Sequence, residues 1–217
     1  MIHAAEVADA INLDYRDSAP TNASEARAVR KRWTAQLRPY AAEDAIEIAL
    51  GLLEDHGHRF LPYELIRFHP AALARVDRAL AERLGSGMSS WGDVDMFAVL
   101  VAGQAWRRVQ ISDDTIHDWA RSDDRWWRRA ALVATVPLNV RAQGGSGAPQ
   151  QTFAVCSFLI GDRDEMVVKG MSWALREVVV HDAAGVRAFL DQYGPRLAAR
   201  VRREVSTKLA TGLKVRN

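Results

Sequence analysis

Apolar residues recur at intervals of three and four along most of the chain. This spacing places apolar side chains on one face of an α-helix, because a helical turn takes 3.6 residues. Runs of β-branched residues are short, and Val178-Val179-Val180 is expected only to end a helix. The pattern therefore predicts an all-α protein. The repeated sets include Ala26, Val29 and Trp33; Ala45, Ile48, Ala49 and Leu52; Val94, Phe97, Ala98 and Val101; and Leu197, Val201, Val205 and Leu209.

Capping and helix-breaking residues predict several helix ends. Pro70 and Gly85 enclose one predicted helix, with the proline just inside its start and the glycine at its end. Ser112 and Ser122 each precede two aspartates, which predicts an N-cap followed by acids that favour the helix dipole. The segment Met166–Val180 is apolar nearly all round and is predicted to be the most buried helix.

The helices are short, and a helix pair recurs at roughly forty-residue intervals, which favours an α-solenoid of antiparallel HEAT-like pairs with a concave face. Because no clear repeat consensus is visible, a globular helical bundle is the alternative. We expect one domain over residues 1–217, with residues 1–20 as an extra N-terminal helix whose role is open. The segment Gln143–Pro149 is predicted as a flexible surface loop between helices.

Composition narrows the class of protein further. Lys and Arg number 29 against 27 Asp and Glu, so a basic face can exist without a strong overall field. The single cysteine, Cys156, excludes a disulfide framework, suits a reducing compartment and is expected to be buried. No apolar run reaches the ~18 residues of a membrane span, and no signal-peptide pattern begins at Met1. We therefore expect a soluble, cytoplasmic protein.

Several catalytic motifs are absent from the sequence. It contains no Walker loop, no G-x-S-x-G and no H-E-x-x-H, which argues against most nucleotide-dependent, acyl-transfer and metallopeptidase chemistry. His56-Gly57-His58 has a metal-like spacing, but no cysteine or third histidine lies near it, so a loop is favoured over a zinc site. We expect neither a cofactor nor a metal.

Trp91 and Asp95 form the first candidate site. Ser90 and Asp93 have the spacing of a capping box, which makes Trp91 the first helical residue. The i, i+4 spacing then places Trp91 and Asp95 on one helix face. In a groove, the indole offers a flat surface to a sugar and the carboxylate lies beside it. Alternatively, Asp95 is a solvated helix acid and Trp91 packs against the preceding turn.

Two later segments combine tryptophan with arginine: Trp126-Trp127-Arg128-Arg129 and Trp173-Ala174-Leu175-Arg176-Glu177. Adjacent helical residues point about 100° apart, so in the first segment one Trp–Arg set should pack and the other be exposed. The alternative is a core tryptophan beside an arginine whose charged end reaches solvent. Trp173 lies in the most apolar helix, which favours the core, whereas Arg176 and Glu177 indicate contact with solvent.

Together these motifs resemble the DNA alkylation repair family, HEAT-like-repeat DNA glycosylases that release N3- and N7-alkylated purines. The resemblance runs from about Leu84 to the C-terminus, and the order and spacing of the motifs agree. The residues before Leu84 match poorly, and Gly92 stands where the family often has a larger side chain. The matching segments are Trp91-x-x-Val94-Asp95, Trp126-x-Arg128-Arg129-x-Ala131-Leu132, Gly170-x-x-Trp173-x-Leu175-Arg176-Glu177 and Arg202-Arg203-Glu204.

The resemblance implies a glycosylase that hydrolyses the N-glycosidic bond of cationic alkylpurines in double-stranded DNA without a base-flipping pocket. It implies that Asp95 is the catalytic acid group and that Trp91 and Trp173 are aromatic walls around the lesion sugar. It also implies a phosphate contact by Arg129, for which Arg128 is the alternative. We expect a monomer. The further expected DNA contacts are Trp127, Arg176 and Arg203.

The chemistry of the lesion agrees with these roles. Alkylation at N3 or N7 leaves a cationic base, which departs without a general acid, whereas the sugar becomes oxocarbenium-like. A carboxylate stabilises that cation and can orient water, and indole faces add cation–π attraction. The main alternative is a non-catalytic HEAT-like DNA-binding module, which would tolerate any residue at position 95. The presence of Asp95 favours the enzyme, and a protein-binding solenoid is a more distant alternative.

Overall fold

The structure, a computed structural model, describes residues 3–213 apart from the side chain of residue 23. Within this range every regular element is a helix and no strand is present, so the all-α prediction is confirmed. The chain divides into two compact units, residues 1–86 and residues 87–217, which are described separately. The expectation of one domain over residues 1–217 stays a prediction.

In residues 3–86 the helices pack around an apolar core. Helix α1 contacts α3, and α3 contacts α4. Ile11 of α1, Ile48 of α3 and Leu61 of α4 are fully buried in the shared core. The predicted N-terminal helix therefore exists and is anchored by its apolar face. The helices are α1 (Ala4–Ser18), α2 (Ala23–Leu37), α3 (Ala42–Glu54), α4 (Leu61–Phe68), α5 (Pro70–Leu73) and α6 (Arg78–Gly85).

The single helix predicted between Pro70 and Gly85 is wrong, because the chain forms two helices there. The first ends at Leu73 and the second begins at Arg78. Asp77 explains the break: its side chain accepts a hydrogen bond from Leu80 N at 2.8 Å. An aspartate in this position caps a new helix and competes with continuation of the old one.

Residues 87–213 continue with α7 (Trp91–Phe97), a π-helical turn (Ala98–Ala102) and α8 (Gly103–Arg107), which follow one another without a break. The next helices are α9 (Asp113–Ala120), α10 (Arg125–Val133), α11 (Val136–Asn139), α12 (Pro149–Phe158), α13 (Glu165–Val178), α14 (Ala183–Tyr193) and α15 (Ala199–Thr211). Short 3₁₀ turns span Arg141–Gln143 and Gly194–Arg196.

The helices of this second unit form two layers. In one layer α7 contacts α10, α10 contacts α13, and α13 contacts α15. In the other layer α9 contacts α12, and Phe153 of α12 stacks on Phe189 of α14. Consecutive helices alternate between the layers as α9/α10, α12/α13 and α14/α15. This succession of stacked pairs is solenoid-like, as predicted.

The predicted caps of α9 and α10 have different outcomes. Ser112 is the N-cap of α9 and accepts a hydrogen bond from Thr115 N at 3.2 Å, as expected. Ser122 is not the cap of α10, which starts after Asp124. The Ser122 hydroxyl instead accepts a hydrogen bond from Asp124 N at 3.2 Å, while Asp124 caps the helix.

The segment Gln143–Pro149 is a surface loop between helices, as predicted, but it is tied down by specific hydrogen bonds. Gln104 Nε2 donates to Gln143 O at 3.1 Å, and Ala148 N donates to Asn139 Oδ1 at 2.9 Å. Cys156, just after this loop, is fully buried, as expected.

Candidate active site

The start of α7 fixes the position of Trp91. Ser90 Oγ accepts a hydrogen bond from Asp93 N at 3.2 Å, and Asp93 Oδ2 accepts one from Ser90 N at 3.1 Å. This reciprocal pair is the predicted capping box. Trp91 is the first residue of the helix, and 61% of it is exposed. The indole is therefore not packed away against the preceding turn.

Asp95 lies one helical turn after Trp91 and forms an ion pair with Arg129 of α10. Arg129 Nε donates to Asp95 Oδ1 at 2.9 Å, and Arg129 Nη2 donates to Asp95 Oδ2 at 2.8 Å. Only 18% of the Asp95 side chain and 6% of the Arg129 side chain are exposed. Asp95 is therefore not the solvated helix acid of the alternative interpretation.

The environment of Asp95 changes its protonation equilibrium. Burial raises the pKa of its carboxyl above the ordinary value, and the hydrogen bonds and charge of Arg129 oppose that rise without cancelling it. The ionised carboxylate is thus poorly hydrated. A poorly hydrated anion interacts strongly with any cation that approaches it, because little solvent screens the field.

Helix α13 holds Arg129 from the other side. Arg129 Nη1 donates to Met166 O at 2.6 Å, in the first turn of α13. One turn later Gly170 faces the same arginine, because a β-carbon built on it would lie 3.5 Å from Arg129 Cγ. Helices α7, α10 and α13 therefore meet at the Asp95–Arg129 pair.

Trp173 lies on the face of α13 that includes Met166 and Gly170, at helical spacings of seven and three residues from them. It is partly buried rather than a core residue, which corrects the interpretation favoured by its apolar helix. Its indole Nε1 donates to Glu177 Oε1 at 2.9 Å. Glu177 is not among the predicted site residues, although its i, i+4 spacing from Trp173 is the signal that indicates this hydrogen bond.

Arg128 and Arg129 both have partners within the protein. Arg128 Nε donates to Asp162 Oδ2 at 2.8 Å, and Arg128 Nη1 donates to the carbonyl oxygens of Ser122 and Asp123. Each guanidinium is thus neutralised by an aspartate. The predicted phosphate contact of either arginine stays a prediction, and it requires a phosphate to share or displace these hydrogen bonds.

Trp127 belongs to an aromatic cluster. Its ring centroid lies 4.9 Å from that of Trp119 and 5.9 Å from that of Phe97. The neighbouring Trp126 instead stacks with Arg125, whose Cζ lies 4.7 Å from the ring centroid. Trp127 therefore packs within the protein, and its predicted contact with DNA has no support from this geometry.

Arg176 does not fit the predicted DNA contact, because it is only 8% exposed and forms an ion pair with Glu204. Arg200 Nε and Ser172 Oγ also donate to the Glu204 carboxylate, at 2.8 and 2.6 Å. Burial raises the pKa of Glu204, but these hydrogen bonds and the nearby arginines lower it overall. Arg203 is exposed, and among the described residues it has no ion pair.

The two histidines considered as metal ligands contact the N-terminal helix. His56 Nε2 lies 2.9 Å from Asp9 Oδ1, and His58 Nε2 lies 3.1 Å from Asn12 Oδ1. Within residues 3–213 no group of three or more His, Cys, Asp or Glu side chains is placed to hold a metal. No helix in the same range has the length and apolar character needed to cross a membrane.

Comparison with known families identifies the chain. The model of the DNA alkylation repair enzyme family matches residues 17–209. The chain belongs to the DNA alkylation repair enzyme family. The match begins well before Leu84. It therefore includes many of the residues in which the sequence motifs alone show little resemblance to the family, but it leaves out most of α1. Family membership assigns the protein to DNA alkylation repair as an enzyme. No curated protein and no solved structure matches the chain.

Proposed function

We propose that this family member is a DNA glycosylase that hydrolyses the N-glycosidic bond of cationic N3- or N7-alkylated purines in double-stranded DNA. The observation that carries the proposal is the Asp95–Arg129 pair: a poorly hydrated carboxylate, held by two hydrogen bonds, one helical turn from an exposed tryptophan. Cleavage at an alkylated nucleotide requires an anionic group of this kind beside the sugar and an aromatic surface next to it.

The alkylated base supplies its own leaving-group activation. Because it already carries a positive charge, it departs without proton donation, and this chain needs no general acid for it. Charge instead develops on the deoxyribose as the bond stretches, giving an oxocarbenium-like transition state. A preorganised group that meets such charge contributes about 3–4 kcal/mol in comparable sites. Asp95 is proposed to make this contribution.

Arg129 is proposed to keep Asp95 ionised and oriented. Each carboxylate oxygen accepts one hydrogen bond from the guanidinium and has a further lone pair. The exposed 18% of the side chain gives a sugar or a water molecule a route to those lone pairs. The same carboxylate can therefore stabilise the sugar cation and orient the attacking water.

The two tryptophans are proposed to flank the sugar. Trp91 is exposed at the start of α7, and Trp173 is partly buried on the face of α13 that meets Arg129. Indole rings attract cations through their electron-rich faces, by about 0.5–2 kcal/mol depending on desolvation. This contribution grows as the sugar acquires charge, so it favours the transition state over the bound substrate.

The test is release of free base. The full-length protein is incubated with duplexes containing 7-methylguanine or 3-methyladenine, and released bases are separated from DNA and quantified. Heat-inactivated protein measures spontaneous depurination, and an undamaged duplex measures specificity. The proposal expects base release with abasic sites left behind. Tight binding of the damaged duplexes with release no faster than the spontaneous rate would support the non-catalytic DNA-binding module instead.

A further inference from the structure

A cation that the protein itself does not neutralise can bind a DNA phosphate without giving up an internal ion pair. Arg128, Arg129 and Arg176 are each paired with a carboxylate within the second unit. Arg107, at the end of α8, differs from them: among the described residues, no carboxylate lies within ion-pair distance of it. Its positive charge is therefore available to an anion from outside the protein.

The guanidinium of Arg107 is also poorly supplied with hydrogen bonds. Nη2 donates to Gln104 Oε1 at a long 3.3 Å, and Nε is buried without a partner among the described residues. Gln104 is fully buried and carries no charge. Holding a partly buried cation against a neutral amide costs stability, because desolvation is not repaid by an opposite charge. A bound anion would supply that charge.

The loop after α11 passes close to this guanidinium. Gly144 has φ of +90°, and a β-carbon built on it would lie 3.0 Å from both Cζ and Nη2 of Arg107. Glycine therefore allows the backbone to pass close by without a side chain over the cation. Arg141 and Ser146 are exposed on the same loop, and Arg141 has no ion pair among the described residues.

We propose that Arg107, Arg141 and the loop at residues 144–146 bind a phosphate of the DNA backbone. A guanidinium recognises phosphate through paired N–H donors, and the loop adds a second cation and a hydroxyl. Arg107 follows Asp95 by twelve positions on consecutive helical segments, which corresponds to a rise of about 18 Å. The phosphate bound there consequently lies outside the lesion nucleotide.

This proposal rests on the DNA binding, but not on the base excision, of the proposed function. The test measures binding of an undamaged duplex to the full-length protein across a range of salt concentrations. The variant is Arg107→Gln, and the matched control is Arg187→Gln, which removes the same charge from an exposed position on α14, in the other layer. We expect Arg107→Gln to weaken binding several-fold and to reduce the slope of log K against log salt by about one.

The control should keep the wild-type slope, and Arg107→Lys should recover part of the lost affinity. Thermal unfolding distinguishes a binding role from a structural one. Because the arginine is unpaired, Arg107→Gln should melt at or above the wild-type temperature without DNA. A lower melting temperature combined with wild-type DNA affinity would make Arg107 an anchor for the loop and overturn the proposal.

A second arm distinguishes the source of the phosphate. The melting temperature is measured in inorganic phosphate and in chloride at equal ionic strength. Suppose that phosphate stabilises the wild type and that Arg107→Gln abolishes this stabilisation without changing the slope of log K against log salt for DNA. This result would identify a site for free phosphate and refute the assignment to DNA. If the wild type releases no base at all, these binding results still decide the proposal. Conversely, an Arg107→Gln protein that loses base excision but binds the duplex with unchanged affinity would count against the proposed phosphate contact.

Discussion

The guanidinium of Arg129 meets the Asp95 carboxylate edge to edge, with Nε 2.9 Å from Oδ1 and Nη2 2.8 Å from Oδ2. Two parallel hydrogen bonds fix the plane of the carboxylate as well as its position. The third nitrogen, Nη1, is anchored to Met166 O. A group that stabilises charge in a transition state acts best when it needs no reorganisation at that moment. The geometry gives Asp95 this property.

Removing the arginine should affect both stability and chemistry. Arg129→Ala leaves a mostly buried carboxylate without its counter-charge. We expect the free energy of unfolding to fall towards the lower end of the ~3–5 kcal/mol typical of a broken buried pair, since Asp95 retains some solvent contact. Arg129→Lys should be less destabilising but should lose the two-point geometry. Urea unfolding and single-turnover excision measure the two effects. Wild-type stability of Arg129→Ala would show that the pair contributes nothing to the fold.

The excision rate should depend on pH through Asp95. The ionised carboxylate is the active form, and burial raises its pKa above the ordinary value. The rate should therefore fall as the pH decreases through a pKa higher than that of an exposed aspartate. The pH dependence of stability has the opposite sign: the contribution of Asp95 to folding is fully present below the ordinary pKa of an aspartate and is lost as the pH rises through the raised pKa. The pH dependence of the excision rate, corrected for spontaneous depurination, measures the effect on catalysis. Arg129→Lys should shift the pH at which this rate falls on the acid side. An acid limb at the pKa of an exposed aspartate would contradict the role of burial.

The two tryptophans should respond differently to truncation. Trp91→Ala removes an exposed indole, so excision should fall while the melting temperature stays close to that of the wild type. Trp173→Ala removes a partly buried indole and its hydrogen bond to Glu177. It should lower both excision and stability, the latter by less than the ~3–5 kcal/mol of a fully buried truncation. Thermal melts recorded beside single-turnover rates test this. Equal destabilisation by both variants would assign Trp91 to the core.

Much of the first candidate site follows from local sequence. The capping box at Ser90 and Asp93 fixes the start of α7, and that start fixes the shared face of Trp91 and Asp95. These features depend on neighbouring residues only, so periodicity and capping rules are enough to predict them. The family resemblance was also recognisable, because it rests on the spacing of several such local motifs.

The partners across helices were not predictable in the same way. Asp95 and Arg129 are 34 positions apart, as are Arg128 and Asp162. The sequence contains many acids that could pair with either arginine, and only the packing of α7, α10 and α13 selects among them. The same limit explains Arg176: its charge predicts contact with solvent, but Glu204 of α15 forms an ion pair with it. Tertiary packing thus decides which arginines keep a free charge.

The most direct test of the account is single-turnover excision of 7-methylguanine from duplex DNA by the wild type and by Asp95→Asn. The amide keeps the size of the side chain and can still accept a hydrogen bond from Arg129, so the fold and the affinity for the duplex should persist. The excision rate should fall by about two to three orders of magnitude, the loss expected when one preorganised electrostatic group is removed. A folded, DNA-binding Asp95→Asn protein that excises at the wild-type rate would contradict the account.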